Sequence, residues 1–297
     1  PLKAVVDAQA HPGFKTCVDE HDKFLGRTPK FKGAIQELYK GAFKRAGYDE
    51  VAAKLTKQHE CLPGDLLRAK IIALSADPEA FLGIRQKAAT SIAVFSIVSY
   101  IIGIGDRHLD NFLINMKDGE FIGIDFGYAF DAATLLLPIP ELVPFRLTRQ
   151  LTELLKPLDT DGLLKLTMVH ALTALVRNRH LLLDAMDLFV NEPLLDWSMW
   201  ANKLPQKPSI ETYTRDRLRT VEQKLSLVDP GHITAQLLKG SIHHADEYCD
   251  NLVKIVSPKA PQGRQCTSVK AQVERLNEQA TNPHILGMAW AGWCPWV

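Results

Sequence analysis

The chain has 297 residues, 46% of them hydrophobic, enough apolar material to fill a sizeable core and to exclude a disordered region. Lys and Arg total 35 against 34 for Asp and Glu, so a net charge of +1 supplies no strong field for nucleic acid or membrane, and any polyanion site must be local. Five scattered cysteines, at 17, 61, 249, 266 and 294, include no close pair of the kind a zinc site or small disulfide framework uses, and they fit a reducing compartment.

Pro1 is not an initiator, and no basic segment with an apolar signal core follows it, so the chain is expected to be a piece of something longer. Between 23 and 45 stand Lys23, Arg27, Lys30, Lys32, Lys40, Lys44 and Arg45 with only Glu37 opposing. This is the place for a polyanion contact; the competing reading is a solvated helix face preceded by a loop around Pro29. Helical periodicity with turns at Pro63-Gly64 and Asp77-Pro78 makes the first hundred residues mostly helix. Ala88 to Gly105 carries no charge, but Thr90, Ser91, Ser96, Ser99 and Tyr100 dilute it, so it is expected to be a buried core helix and not a membrane span.

Two short apolar runs, Phe112-Leu113-Ile114 and Phe121-Ile122 with Ile124, flank the turn signal Lys117-Asp118-Gly119 and predict a small hairpin. Pro138, Pro140 and Pro144 forbid a regular helix there, and Leu147, Leu151, Leu154 and Leu155 restore helical spacing, so the loop ends near Phe145. Further helices are predicted around 162–176, 180–190, 214–227 and 241–255, with Pro193, Pro205 and Pro208 in loops. Residues 256–267, with Pro258, Pro261 and Gly263, read as a linker. Ser268 then caps a helix with Val269, Val273, Leu276 and Ala280 on one face. Trp290, Trp293 and Trp296 close the chain and predict a docking tail, because left exposed they would invite aggregation.

The chemistry lies in Gly105-Asp106-Arg107-His108-Leu109-Asp110-Asn111, followed beyond the hairpin by Asp125-Phe126-Gly127. Phosphoryl transfer asks a protein to hold a divalent metal against phosphates and to orient an attacking hydroxyl. Asp106 suits the acceptor, Asn111 the metal, and the hairpin returns Asp125 toward both; such hard oxygen ligands suit Mg²⁺. His108 can accept a hydroxyl proton, stabilise charge on the transferred group, or pin Asp106. Arg107 is expected to tie the loop to a neighbouring carboxylate, and Asp110 to be solvated or paired locally. Gly103 and Gly105 form no Gly-x-Gly-x-x-Gly and are not a phosphate cradle.

The order Asp-Arg-His, then Asn, with Asp-Phe-Gly beyond, resembles the phosphatidylinositol 3-kinase-related protein kinases and not the His-Arg-Asp order of common protein kinases. Leu62 to Arg68, Ser75 to Leu82, and Pro138 to Gln150 resemble the helices before that family's catalytic loop and the end of its activation loop. Gln279 to Pro283, with Gly287, Trp293, Pro295 and Trp296, resembles its terminal FATC segment. Tyr128, Cys294 and Val297 depart from the usual pattern, which implies a distant relative.

The resemblance implies a mainly α fold with a small β-hairpin, the C-terminal lobe of a protein-kinase-like (α+β) fold. Residues 1–255 would be that lobe (catalytic loop 105–111, metal-binding hairpin 112–127, activation loop 125–150), 256–267 a linker and 268–297 the FATC tail. Asp106 would be the catalytic Asp, His108 its partner, Asn111 and Asp125 the metal- and cofactor-binding pair, and Leu113 and Ile124 the lower wall of an adenine pocket. The cofactors would be ATP and Mg²⁺, with Mn²⁺ as an alternative.

No glycine-rich loop followed by a strand lysine precedes residue 105, so the N-lobe is expected to lie elsewhere in the protein, with upstream helical regions, and the isolated chain to have negligible activity. The substrate implied is Ser or Thr followed by Gln in proteins. The setting implied is the nucleus, in double-strand break repair by non-homologous end joining, with DNA ends presented by a Ku heterodimer and no membrane partner. Two competitors remain: a phosphatidylinositol lipid kinase and an inactive kinase-like scaffold. Residues 126–145 contain Asp131 and Glu141 but no Lys or Arg, which speaks against a phosphoinositide headgroup; the intact metal-binding residues speak against the scaffold.

Overall fold

Helix-forming periodicity with well-placed caps governs most of the chain, and the computed structural model describes residues 2–28, 31–192, 197–243, 246–257 and 265–297. Among these, α1 (Leu2–Val6), α2 (Pro12–Leu25), α3 (Ile35–Arg45), α4 (Tyr48–Cys61), α5 (Leu66–Leu74) and α6 (Pro78–Ile102) precede an antiparallel hairpin of β1 (Phe112–Ile114) and β2 (Phe121–Gly123). After it come α7 (Ala132–Leu136), α8 (Arg149–Leu155), α9 (Leu163–Arg177), α10 (Arg179–Val190) and α11 (Ser198–Ala201). The chain continues through α12 (Ile210–Leu225), α13 (Pro230–Gly240), α14 (Glu247–Val256), α15 (Val269–Thr281) and α16 (Pro283–Gly287). The expected mainly α fold with one small hairpin is what is found.

The axis of the fold is α6. Asp77 caps it by accepting the Ala80 N–H at 2.7 Å, with Pro78 in the first turn where no donor is needed. Ala88, Ala89, Ile92, Ala93, Ile97 and Ile101 are buried, and the helix packs chiefly on α9, which answers with Leu164, Met168 and Leu172. Among the described residues it is the one helix long and apolar enough to cross a membrane, and its buried stripe faces protein. The hairpin rests on it through Phe112, whose ring meets Phe95 edge-on at 5.5 Å, and through Gly123, where an added Cβ would strike the Phe95 ring.

Several elements differ from the periodicity reading. Helix α13 was not among the predicted helices; Asp229 accepts the His232 N–H at 3.1 Å and Pro230 opens the helix. The segment 241–255 is helical only from Glu247, and α12 begins at Ile210 under a Ser209 cap. The basic stretch 23–45 is largely countered: Lys40 pairs with Asp246 at 2.5 Å, Lys44 with Glu247 at 2.7 Å, Arg27 with Asp22 at 3.4 Å and Lys23 with Glu20 at 3.8 Å. Pro29, Lys30 and Pro193 lie outside the described residues, as do 258–264 of the expected linker, with Pro258, Pro261 and Gly263.

The tail docks. Ser268 accepts the Ala271 N–H at 3.1 Å, and Val273, Leu276 and Ala280 are fully buried as the spacing predicts. Trp293 and Trp296 are buried, but Trp290 is 43% exposed, so two of the three tryptophans anchor the tail and the third faces outward. A polar network under it was not legible in sequence. Buried Lys54 donates to the Gly287 carbonyl and lies 3.1 Å from His21 Nδ1, His21 Nε2 meets the Tyr39 hydroxyl at 2.7 Å, and that hydroxyl accepts the Ala291 N–H at 2.9 Å. Burial pushes Lys54 down to about 7 and, with the Lys54 charge, His21 down to about 2. In the full-length protein, Tyr39→Phe is expected to cost the tail about 1 kcal/mol, read as roughly fivefold faster hydrogen exchange at Ala291. An unchanged exchange rate there would show that the hydroxyl contributes nothing to docking.

Candidate active site

The site begins where α6 stops. Gly103, at φ +69°, ends the helix in the left-handed conformation that glycine adopts freely, and a Cβ at Gly105 would fall 2.3 Å from that of Ala133. These glycines fold the catalytic loop against α7. Asp106 follows at φ +59° and Asp125 lies at φ +58°, a conformation uncommon outside glycine and least unfavourable for Asp and Asn. Two left-handed aspartates in one loop system need anchors, and the surrounding hydrogen bonds supply them.

Arg107 is the central anchor. Its guanidinium, 1% exposed, donates from Nε to the Gly105 carbonyl at 2.8 Å, from Nη1 to Ile124 O at 2.8 Å and from Nη2 to Asp125 O. It thus ties the catalytic loop to the Asp125 turn through backbone carbonyls, where a carboxylate partner was expected. Asn111, also buried, donates its Nδ2 to Asp106 O at 2.7 Å. That bond leaves the amide oxygen as the group Asn111 can offer to a ligand. The Asp125 side chain is exposed and, among the described residues, accepts one hydrogen bond, from the Gly127 N–H of its own turn at 3.1 Å. Asp106, Asn111 and Asp125 therefore belong to one hydrogen-bonded frame. Asp110 pairs with Lys3 at 3.1 Å, a partner 107 positions away in the chain, where solvation or a local pair was expected.

His108 accepts the Asp110 N–H on Nδ1 at 3.2 Å. A neutral imidazole with Nδ1 as acceptor carries its hydrogen on Nε2 and is a donor there, which narrows the three roles open to it.

The hairpin register pairs Leu113 with Ile122, and Ile124 extends the ladder by donating its N–H to Asn111 O at 3.0 Å. Leu113, Ile122 and Ile124 thus share one face of the hairpin, opposite buried Phe112 and Phe121. Ile122 and Ile124 are exposed, so the face presents an apolar surface beside Asn111 and Asp125. Ile122 was absent from the expected pair; the register places it on the same face.

Two charged residues escaped the sequence reading. Arg146, 2% exposed, donates to Arg107 O at 3.3 Å, Trp293 O at 2.7 Å, Cys294 O at 2.9 Å and the backbone oxygen of Val297 at 2.9 Å, and its guanidinium lies 4.3 Å from the Trp293 ring centre. Burial lowers it to about 10, and it remains a cation at neutral pH. Glu141 Oε2 accepts the Asp106 N–H at 2.6 Å. Desolvation pushes this carboxyl up to about 7 against the opposing effect of that bond. A cavity of about 290 Å³ opens between Asp106, the segment Leu137 to Val143 and the tail's Trp290 and Trp293. Beyond it, Gln150 accepts the Leu67 N–H at 3.0 Å and donates to Pro63 O at 2.7 Å, joining the end of the proline-rich loop to the first turn of α5 and the segment before it.

Residues 18–199 match the family model described as phosphatidylinositol 3- and 4-kinase, and residues 266–297 match that of the FATC domain. The chain belongs to the phosphatidylinositol 3- and 4-kinase family. Its combination of that domain with a FATC tail, and its relatives, place it among the phosphatidylinositol 3-kinase-related protein kinases. It is similar to the DNA-dependent protein kinase catalytic subunit of Dictyostelium discoideum, 47% identical over 289 residues, which cover 92% of this chain and 7% of that protein. The Xenopus laevis protein of the same name is 38% identical over 292 residues, covering 93% and 7%. Serine/threonine-protein kinase mTor of Drosophila melanogaster is 30% identical over 252 residues, covering 78% and 10%. The solved FAT and kinase domain of CtTel1 shares the fold, with a TM-score of 0.59 at 23% identity over 95% of this chain and 17% of that one. The chain therefore spans about 7% of the length of the first of these curated relatives. ATP with Mg²⁺ is the expected phosphoryl donor for a kinase domain of this family, and the donor set fits it: one exposed carboxylate and one oriented amide oxygen leave positions for phosphate oxygens and water.

Proposed function

We propose that this chain is the C-terminal lobe (1–255), linker (256–267) and FATC tail (268–297) of a kinase that transfers the γ-phosphoryl group of ATP to Ser or Thr, preferentially before Gln. The observation that carries this reading is the frame built by Arg107 and Asn111, which joins the backbones of Asp106 and Asp125. Asp125 and the Asn111 amide oxygen would hold Mg²⁺ or Mn²⁺, whose charge would neutralise the phosphates. Asp106 orients the acceptor hydroxyl and takes its proton. His108, a donor at Nε2, stabilises charge on the transferred group, and this tautomer favours Asp106 over His108 as the proton acceptor. Leu113, Ile122 and Ile124 floor the adenine.

The residue after the phosphoacceptor would enter the apolar cavity beside Asp106. A lipid headgroup finds no cation in residues 126–145, and of the two acids there Asp131 pairs with buried Lys224 at 2.7 Å while Glu141 binds backbone. The similarity to DNA-dependent protein kinase catalytic subunits supports a nuclear role in non-homologous end joining, with DNA ends and the Ku heterodimer acting through the full protein.

The test is a comparison of acceptors for the full-length protein with Ku and DNA ends. A Ser-Gln peptide is expected to be phosphorylated with kcat/KM at least about tenfold above its Ser-Ala counterpart, and phosphatidylinositol vesicles not at all. Lipid phosphorylation at comparable rates would overturn the protein-kinase reading, and no transfer to either acceptor would favour the scaffold.

A further inference from the structure

We infer that Glu141 is a positioning residue for phosphoryl transfer, holding Asp106 in its working conformation from the activation loop through the Asp106 backbone N–H. The inference rests on the reading of Asp106 as the residue that orients the acceptor hydroxyl.

The geometry leaves the carboxylate little freedom. Its Oε2 takes the Asp106 N–H at 2.6 Å, and the same oxygen lies 3.6 Å from where a Cβ on Gly105 would stand, so the turn is seated directly against it. The backbone that carries Glu141 is itself held, since its carbonyl accepts the Thr134 hydroxyl at 2.7 Å from α7. Helix α7 also supplies Ala133, the residue that fills the space left by Gly105. Catalytic loop, α7 and activation loop thus form a closed circuit around one carboxylate. The amide it holds belongs to a residue at φ +59°, which would relax toward ordinary backbone angles without a fixed acceptor. An ionised acceptor makes the shorter and stronger bond, so the charge state of Glu141 sets how firmly Asp106 is held.

The charged groups that act on Glu141 are Asp106 and Arg107 from the catalytic loop and Arg146 from the segment after Glu141; the Asp131–Lys224 pair lines, with Glu141, a second cavity separate from the one beside Trp290 and Trp293. Desolvation leads, raising the carboxyl to about 7 from the ordinary carboxylate range, while the hydrogen bond from Asp106 and the charge of Arg107 oppose it. A carboxyl raised in this way is ionised above about pH 7 and protonates as pH falls through that value, so the anchor is strong on the alkaline side and weak on the acid side. The expected consequence is an acid limb in the chemical step with a midpoint near 7.

Single-turnover phosphoryl transfer to a Ser-Gln peptide by the full-length kinase, measured from pH 6 to 9, tests this. Wild type is expected to gain about tenfold between pH 6 and 8. Glu141→Gln keeps an acceptor oxygen of the same reach without the charge; it is expected to lose about tenfold in the chemical step at pH 8, to flatten the limb near 7, and to leave the KM for ATP within about twofold. A Glu141→Gln enzyme with wild-type rate and limb overturns the inference, as does a loss confined to KM for ATP. If the variant misfolds, the wild-type profile decides: absence of an ionisation near 7 overturns it alone. Asp106→Ala, run alongside, keeps the two claims apart. Normal turnover by Asp106→Ala ends the underlying reading, whereas a dead Asp106→Ala beside an unaffected Glu141→Gln ends only this one.

Discussion

Asp125→Ala in the full-length kinase is expected to lower kcat for a Ser-Gln peptide by about 10³-fold or more, because in the proposed mechanism it removes the carboxylate that would hold the divalent ion against the phosphates. The substitution should leave the fold intact. Asp125 is exposed, its side chain serves, among the described residues, the Gly127 N–H alone, and the bonds that fix the turn come from Arg107 to backbone carbonyls that alanine retains. The loss should therefore appear in the Mg²⁺ dependence of nucleotide binding and in turnover together, with unchanged melting behaviour. Asp110→Ala is the control. That residue sits in the same loop, but it pairs with Lys3 at a half-exposed site, where an ion pair contributes little, and turnover should stay within about twofold. Normal turnover in Asp125→Ala would remove the metal assignment and, with it, the mechanism.

Arg146→Met should act at a distance with an effect nearly as large. One buried guanidinium serves the carbonyls of Arg107, Trp293, Cys294 and Val297, and no other donor replaces it when the methionine fills its volume. Orphaning acceptors that were bonded to a charged donor costs about 3 kcal/mol or more, enough to undock the end of a short tail. Release of Trp293 would also remove one wall of the cavity beside Asp106, and the catalytic loop would lose its bond at Arg107 O. We expect peptide turnover to fall by more than about tenfold, with faster hydrogen exchange over 288–297. Arg146→Lys should not rescue it, because a single ammonium cannot reach carbonyls spread around a planar fork. Full activity with an undocked tail would show that the FATC segment does not support the active loop, and deletion of residues 266–297 would then be harmless as well.

The difference between the legible and the illegible parts follows sequence separation. The convergence of Asp106, Asn111 and Asp125 was readable because it depends on short spacings, and the hairpin that returns Asp125 to the loop is itself local. Helix α15 and its Ser268 cap were readable for the same reason: a period of 3.6 residues and a hydroxyl at its start specify them without help from elsewhere. Helix α13 lay outside the predicted helices; Asp-Pro-Gly is compatible with a turn or a helix start, and packing of its buried face against its neighbours selects the second.

By itself the sequence determined the class of chemistry, the mainly helical fold and the loop that carries the site, all consequences of residue type at fixed local spacing. Tertiary structure alone decided what holds that site in place. Glu141 reaches Asp106 across 35 positions and Arg146 reaches Trp293 across 147, while Trp290, chemically identical to its two neighbours in the tail, is left facing outward. A buried charge is stable only where specific distant groups meet it, and no periodicity in the chain records which groups those are.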